Sequence, residues 1–207
     1  MSMTRDVLRT TLILGAFGLA GAGLVAGVEW LTRDAREASV VAARLKNLHV
    51  VIPPEIHDND ILADTIVIED PEFFSPKYPT IVYRARKNGE PVAAAFETTA
   101  PEGYAGPIRM LIGIGIDGKV IGVRILEHRE TPGLGDGIEA ERSDWILGFA
   151  GRSLGDPPLQ RWAVKKDGGV FDQFTGATIT PRLVVNTVKK TLLYSNAHRE
   201  RVFSSAH

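Results

Sequence analysis

The chain has 207 residues and nearly balanced charge, 24 Lys and Arg against 25 Asp and Glu. It is longer than one average domain yet hardly long enough for two, and it lacks the basic surplus that a nucleic-acid partner rewards. With no cysteine in the sequence, disulfides, thiolate zinc sites, cysteine-ligated iron–sulfur clusters and a cysteine nucleophile are excluded, so any redox work falls to an organic cofactor.

The first predicted element is a membrane span. Thr10 to Val28 contains no charged residue, which is about the length a helix needs to cross ~30 Å of hydrocarbon. The span is drawn at residues 10–30, ending at Trp30, an interface anchor, and Gly21 and Ala22 are small enough for close packing against neighbouring helices. Arg5 and Arg9 precede it, whereas Glu29, Arg33, Asp34, Arg36 and Glu37 follow with no positive excess. Residues 1–9 are therefore expected in the cytoplasm, and the main domain on the outer, periplasmic face of a bacterial inner membrane. Ala20-Gly21-Ala22 also resembles a signal-peptide cleavage site, but the apolar run exceeds the usual h-region.

Residues 31–52 continue as a helical stalk, with Ala38, Val41, Ala42, Leu45 and Leu48 at helical spacing and Pro53-Pro54 as the stop. Residues 53–200 form the main domain. Asp58, Asn59, Asp60, Asp64 and Glu69 read as a solvated acidic surface, without the glycine and terminal glutamate of a calcium loop. The five histidines, His49, His57, His128, His198 and His207, are scattered, and no metal site is expected.

Two antiparallel hairpins follow. Thr80–Arg86 and Pro91–Thr99 flank Asn88-Gly89, and Arg109–Ile116 and Lys119–Leu126 flank Asp117-Gly118. In the second hairpin Met110, Ile112, Ile114 and Ile116 alternate with Leu111, Gly113 and Gly115. One face is bulky and the other partly bare, open to a packed helix or to a flat ligand. A helical segment is predicted around Glu139–Phe149, and another hairpin over Trp162–Val170 with Asp167-Gly168 at its turn. The last helix begins with Thr180 as cap and Pro181 in its first turn, and carries Val184, Val188 and Leu192 as an apolar stripe. The end of the chain, residues 201–207, is read as a polar, frayed tail.

Immediately before that helix stands Asp172-Gln173-Phe174-Thr175-Gly176-Ala177-Thr178-Ile179-Thr180-Pro181. A helix N-terminus offers free N–H groups and about half a positive charge, and small residues let a phosphate approach. A simple helix cap explains the same residues without a ligand. Upstream, Glu130-Thr131-Pro132-Gly133-Leu134-Gly135 forms a stiff, glycine-bearing loop that suits either a tight structural turn or a ligand wall.

The run DQFTGAT resembles the flavinylation motif of the FMN-binding domain family, and ETPGLG resembles a second segment of the same family. The resemblance implies an α+β fold: one N-terminal transmembrane helix, then a single FMN-binding domain of antiparallel sheet and packed helices. It also implies FMN joined covalently, through a phosphoester, to Thr178. Asp172, Thr175, Gly176, Ala177 and Thr180 would surround the attachment point, and Glu130, Thr131, Pro132, Gly133, Leu134 and Gly135 would line the ring. Thr178 would act once, during maturation by a flavin transferase, and no residue would be catalytic in turnover.

Over nearly its whole length the chain looks like the G subunits of Rnf, also called Rsx, ion-translocating electron transport complexes. Its compactness separates it from the related C subunits of sodium-pumping NADH:quinone oxidoreductases. This likeness implies an electron carrier whose partners are the other membrane subunits of the complex and the surrounding lipid, in a translocase coupling NADH and ferredoxin to ion movement. Two rival readings remain beside it. One is a membrane-anchored flavin-dependent reductase, for which only Arg109, Arg124 and His128 stand out, as isolated surface residues; the other is a non-catalytic sensor or interaction module in which TGAT is a cap.

Overall fold

The computed structural model describes residues 3–204; the first two residues of the expected cytoplasmic segment and the last three of the expected tail lie outside the described residues. The chain divides into two units, residues 1–44 and 45–207, each taken by itself below.

Helix α1 runs unbroken over Met3–Val51, and its stretch Arg5–Val51 is long and apolar enough to cross a membrane. In the first unit the large apolar side chains have no protein cover: Phe17, Leu19, Leu24 and Trp30 are all largely exposed, as side chains facing lipid must be. The polar groups within this stretch are satisfied locally. The hydroxyls of Thr10, Thr11 and Thr32 donate to the carbonyls of Asp6, Val7 and Val28, one turn back, the usual way a hydroxyl is hidden from hydrocarbon. Beyond the span, Arg33 pairs with Glu37 across one turn at 3.0 Å.

The second unit is built on a five-stranded antiparallel meander, β1 (Thr65–Ile68), β2 (Thr80–Lys87), β3 (Glu90–Ala100), β4 (Ile108–Gly115) and β5 (Val120–Glu127), in sequential order. Both predicted hairpins are present. At the first, Asn88 (φ 52°) and Gly89 (φ 83°) both take left-handed backbone. At the second only Gly118 does (φ 79°), and its N–H donates to the Gly115 carbonyl. β4 accommodates the longer loop with a register shift between Gly113 and Ile114.

One face of the sheet holds the end of α1. Leu48, Val51 and Ile52 are fully buried against Tyr83, Ala85, Ala93, Ala95 and Leu111. Ala95, Gly113 and Gly122 lie side by side across β3, β4 and β5, a smooth track for the helix. A Cβ on Gly113 would stand 2.1 Å from the Val51 carbonyl oxygen, and one on Gly122 would stand 3.3 Å from that of Val50. Of the two readings left open for the bare face, the packed helix is the one observed. Pro53 and Pro54 end α1 as expected, after a last bond from Ile52 N–H to the Leu48 carbonyl.

The opposite face carries the larger core. Val82, Phe96, Met110, Ile112 and Ile114 pack against α2 (Ile179–Ala197), whose stripe Val184, Val188 and Leu192 is buried. Each such side chain contributes about 1.5–3 kcal/mol.

Four local expectations differ from what is found. The segment around Glu139–Phe149 forms only 3-10 turns, at Gly135–Ile138 and Asp144–Phe149, because Ser143 takes extended backbone in mid-segment and caps the second turn, its hydroxyl accepting from Trp145 N–H. Trp162–Val170 is not a hairpin. Lys165–Asp167 make a 3-10 turn closed by left-handed Gly168, and Val164 bridges Phe171 in parallel, drawing three aromatic rings together: Phe149, Trp162 and Phe171. The acidic stretch is partly structural. Asp64 accepts from Arg84 Nε at 2.6 Å and from Arg86 Nε at 2.5 Å, and Asn59 bonds the backbone of both arginines. Arg86 is only 4 % exposed, and a guanidinium that deep is tolerated only when paired. Within the expected tail, residues 201–204 are docked rather than frayed: Val202 of α3 (Arg199–Val202) and the following Phe203 are buried, while Arg84 and Arg86 donate to Ser204.

Candidate functional site

A cavity of about 360 Å³ opens where the 130–135 loop meets the start of α2, within the range of small-molecule sites, ~300–1,000 Å³. Glu130, Thr131, Leu134, Gly135, Gly176, Ala177, Thr178 and Thr180 line it. Two motifs separated by some forty residues are thus brought to one wall, in keeping with the spacing. Pro132, Gly133, Asp172 and Thr175 do not line it. Asp172 points to Lys165, 2.5 Å away, and its carbonyl accepts from the Trp145 indole at 2.8 Å. Two lining residues, Tyr104 and Ile179, escaped the sequence reading. Gly103 and Gly106, flanked by Pro101 and Pro107, were the available signal for the turn that carries Tyr104.

The start of α2 is open. Thr178 is the cap residue, yet its side chain makes no capping bond. The Thr180 hydroxyl, expected to cap, instead donates to Glu130 Oε2 at 2.6 Å. The free N–H groups at this helix end remain available, which is the arrangement that receives a phosphate. Gly176, at φ 83°, makes the turn into it. Behind the turn, Phe174 rests on Trp145 in an edge-to-face contact at 5.3 Å. A Cβ on Gly137 would come within 3.1 Å of the Phe174 ring.

Glu130 ties three walls together. Although only 5 % exposed, its carboxylate accepts from Thr180 of α2 and, at 3.1 Å, from the Ala105 N–H of the 103–106 turn. A Cβ on Gly135 would stand 2.8 Å from Oε2, and one on Gly103 would stand 2.9 Å from Oε1. The loop itself is held by Thr131, whose carbonyl accepts from Leu134 and Gly135 N–H. Asp136 Oδ1 adds a bond from Gly133 N–H at 2.8 Å. His128, read from sequence as a surface residue, is largely buried: Nδ1 accepts from Glu130 N–H at 3.0 Å and Nε2 faces Glu139 at 2.9 Å. Since Nδ1 must be the acceptor, Nε2 carries the proton. Arg124 is partly buried and bonded to Glu141, whereas Arg109 is a surface ion-pair residue bridging Glu97 and Glu127.

One turn into α2, Arg182 holds Asp167 with two bonds, 2.6 and 2.8 Å, and fixes the preceding loop. The Arg182 hydrogen bond keeps the Asp167 carboxyl below the usual carboxylate range, and Asp167 raises Arg182 in turn. A depressed carboxyl contributes stability that is complete above its unfolded value, about pH 4, and is lost as the pH falls through the folded value. We expect Asp167→Asn to lower the urea midpoint slightly at neutral pH, with a deficit that shrinks as the pH falls below about 4; a deficit that stays constant down through the acid range would remove this account.

The chain matches the model of the FMN-binding domain over residues 103–193 and that of the RnfG N-terminal region over residues 1–51. It is similar to proteins named as the G subunit of the ion-translocating oxidoreductase complex. The one from Shewanella loihica is 45% identical over 202 residues, covering 98% of this chain and 95% of the relative. That of Pseudomonas aeruginosa is 45% identical over 200 residues (97% and 94%), and that of Photorhabdus laumondii 46% over 202 residues (98% and 96%).

Proposed function

The chain belongs to the family of G subunits of ion-translocating oxidoreductase complexes, and on that premise we propose that it carries FMN as a phosphoester of Thr178. It is a membrane-bound electron-transport protein with an FMN-binding domain; the finer reading concerns attachment and place. The observation that carries it is the unused Thr178 hydroxyl, in the wall of a cavity and at a helix end whose other threonine, Thr180, is engaged by Glu130. In maturation this oxygen attacks the FMN phosphorus of FAD, losing its proton while AMP leaves.

Bound there, FMN supplies one- and two-electron redox chemistry. The chain contributes position. The open amides of α2 would receive the phosphate, Gly176 and Ala177 would leave space for it, and the Glu130 network holds the loops that would flank the ring. Asp172 and Thr175, outside the cavity, face the flavin transferase. A tether at Thr178 abolishes cofactor loss, and the electron path runs to other membrane subunits of the Rnf type, between NADH and ferredoxin. Residues 1–9 lie in the cytoplasm, 10–30 span the inner membrane, 31–52 form the stalk and 53–200 the FMN-binding domain at the outer face; the charge asymmetry of Arg5 and Arg9 against the residues after Trp30 supports that orientation.

The deciding experiment is intact and peptide mass spectrometry of the full chain coexpressed with a flavin transferase. The expected mass exceeds that of the polypeptide by one FMN less water, on the peptide containing Thr178. Thr178→Val should lose all fluorescence on a denaturing gel while remaining folded. A dark wild-type chain, or a flavin retained by the variant, would defeat the reading.

A further inference from the structure

We propose that Tyr104 is the aromatic cover of the flavin ring in this cavity, an inference that rests on the covalent FMN proposed above. Tyr104 belongs to neither motif, yet it lines the cavity. Its side chain is 70% exposed and among the described residues has no hydrogen bond and no ring partner. A tyrosine offers a broad apolar face with a polar tip, and at the rim of a cavity that face is free to receive a flat group.

The turn that carries it is rigid. Gly106 N–H donates to the Gly103 carbonyl, Gly106 takes φ 137°, and a Cβ on Gly103 would strike the Gly106 carbonyl oxygen at 2.1 Å. Between these glycines, Ala105 N–H is bonded to Glu130, the residue that also binds the start of α2. Tyr104 is therefore held in register with Thr178 through one carboxylate, although the two are far apart in sequence. Leu134 and Ile179, 46% and 48% exposed, give the same cavity further apolar lining. Three exposed apolar side chains around one opening, with the only lining carboxylate buried and already engaged, suit a planar, largely apolar ring better than a polar or charged solute.

The test uses the full chain coexpressed with a flavin transferase, with FMN per chain measured first by intact mass. In Tyr104→Ala, iodide should reach the attached flavin several-fold more readily and emission per FMN should rise, since both the cover and the electron-donating phenol are gone. Tyr104→Phe should keep the wild-type iodide accessibility while its emission rises, because the cover stays and the phenol goes. In the Thr178→Val background both variants should melt with the Thr178→Val chain itself, Tyr104 being unpartnered in the flavin-free protein. Equal iodide accessibility in wild type and Tyr104→Ala, at equal FMN content, overturns the role of Tyr104. Absence of FMN from the wild-type mass overturns the underlying reading instead.

Discussion

Gly113→Ala is expected to destabilise the second unit by about 3 kcal/mol or more, at the severe end of overpacking effects, and Gly113→Val to leave it largely unfolded. The added Cβ would stand 2.1 Å from the Val51 carbonyl oxygen and 2.9 Å from the carbonyl carbon. Neither atom belongs to a flexible side chain that could swing aside. Relief requires lifting the end of α1 off β4, which exposes Leu48, Val51 and Ile52, all fully buried. Loss of even part of that contact costs several times the ~0.8 kcal/mol of one buried methylene. Gly148→Ala is the control, since a Cβ there meets nothing within 4 Å, and it should stay within about 0.5 kcal/mol of the wild type. Urea unfolding of the detergent-solubilised chain, followed by tryptophan emission, measures all three. A Gly113→Ala midpoint equal to that of wild type would show that the helix end does not rest on the sheet as described.

Glu130→Ala should remove both stability and flavin. Two donors, the partly buried Ala105 N–H and the buried Thr180 hydroxyl, lose their acceptor, and an unsatisfied buried donor costs about 1–3 kcal/mol. The expected loss is roughly 2–4 kcal/mol, because the freed Thr180 hydroxyl can turn toward the cavity it lines and recover part of it by bonding water. The loss has a second consequence: the loops proposed to flank the ring are no longer held to the start of α2. Flavin attachment should fall by about tenfold or more, the equivalent of one ~1.4 kcal/mol step in an equilibrium. Glu130→Gln keeps one acceptor oxygen and should lie between. Measuring stability in the Thr178→Val background separates the two effects, since no flavin is present to contribute. Unchanged stability in that background would mean that Glu130 does not tie the three walls.

The sheet was legible because its signals are local. Asn88-Gly89 and Asp117-Gly118 have turn chemistry that does not depend on what packs above them. The same reasoning misled at Asp167-Gly168, where left-handed Gly168 is present but the flanking residues meet in a parallel bridge beside an aromatic cluster instead of forming antiparallel strands. The bare face of β4 was legible as bare, and its occupant was not, because absence of side chains does not say what approaches. His128 was misread for a related reason: a lone histidine declares neither its depth nor its partners, and its contact with Glu139 depends on a chain that turns back at Gly133 and Gly135.

From the amino-acid order alone came the apolar span, the hairpins, the apolar stripe of α2 and the two loop motifs, since each depends on short-range periodicity or on the backbone limits of Gly and Pro. Tertiary structure alone decided that α1 covers the glycine track of β4 and β5, that Asp64 pairs with Arg84 and Arg86, and that Thr180 turns away from its helix to Glu130. It alone set Tyr104 beside the same opening as Thr178. The physical reason is one of range. A turn or a helical stripe is chosen by neighbours a few residues away, whereas a buried carboxylate takes whichever donors the folded chain brings within about 3 Å.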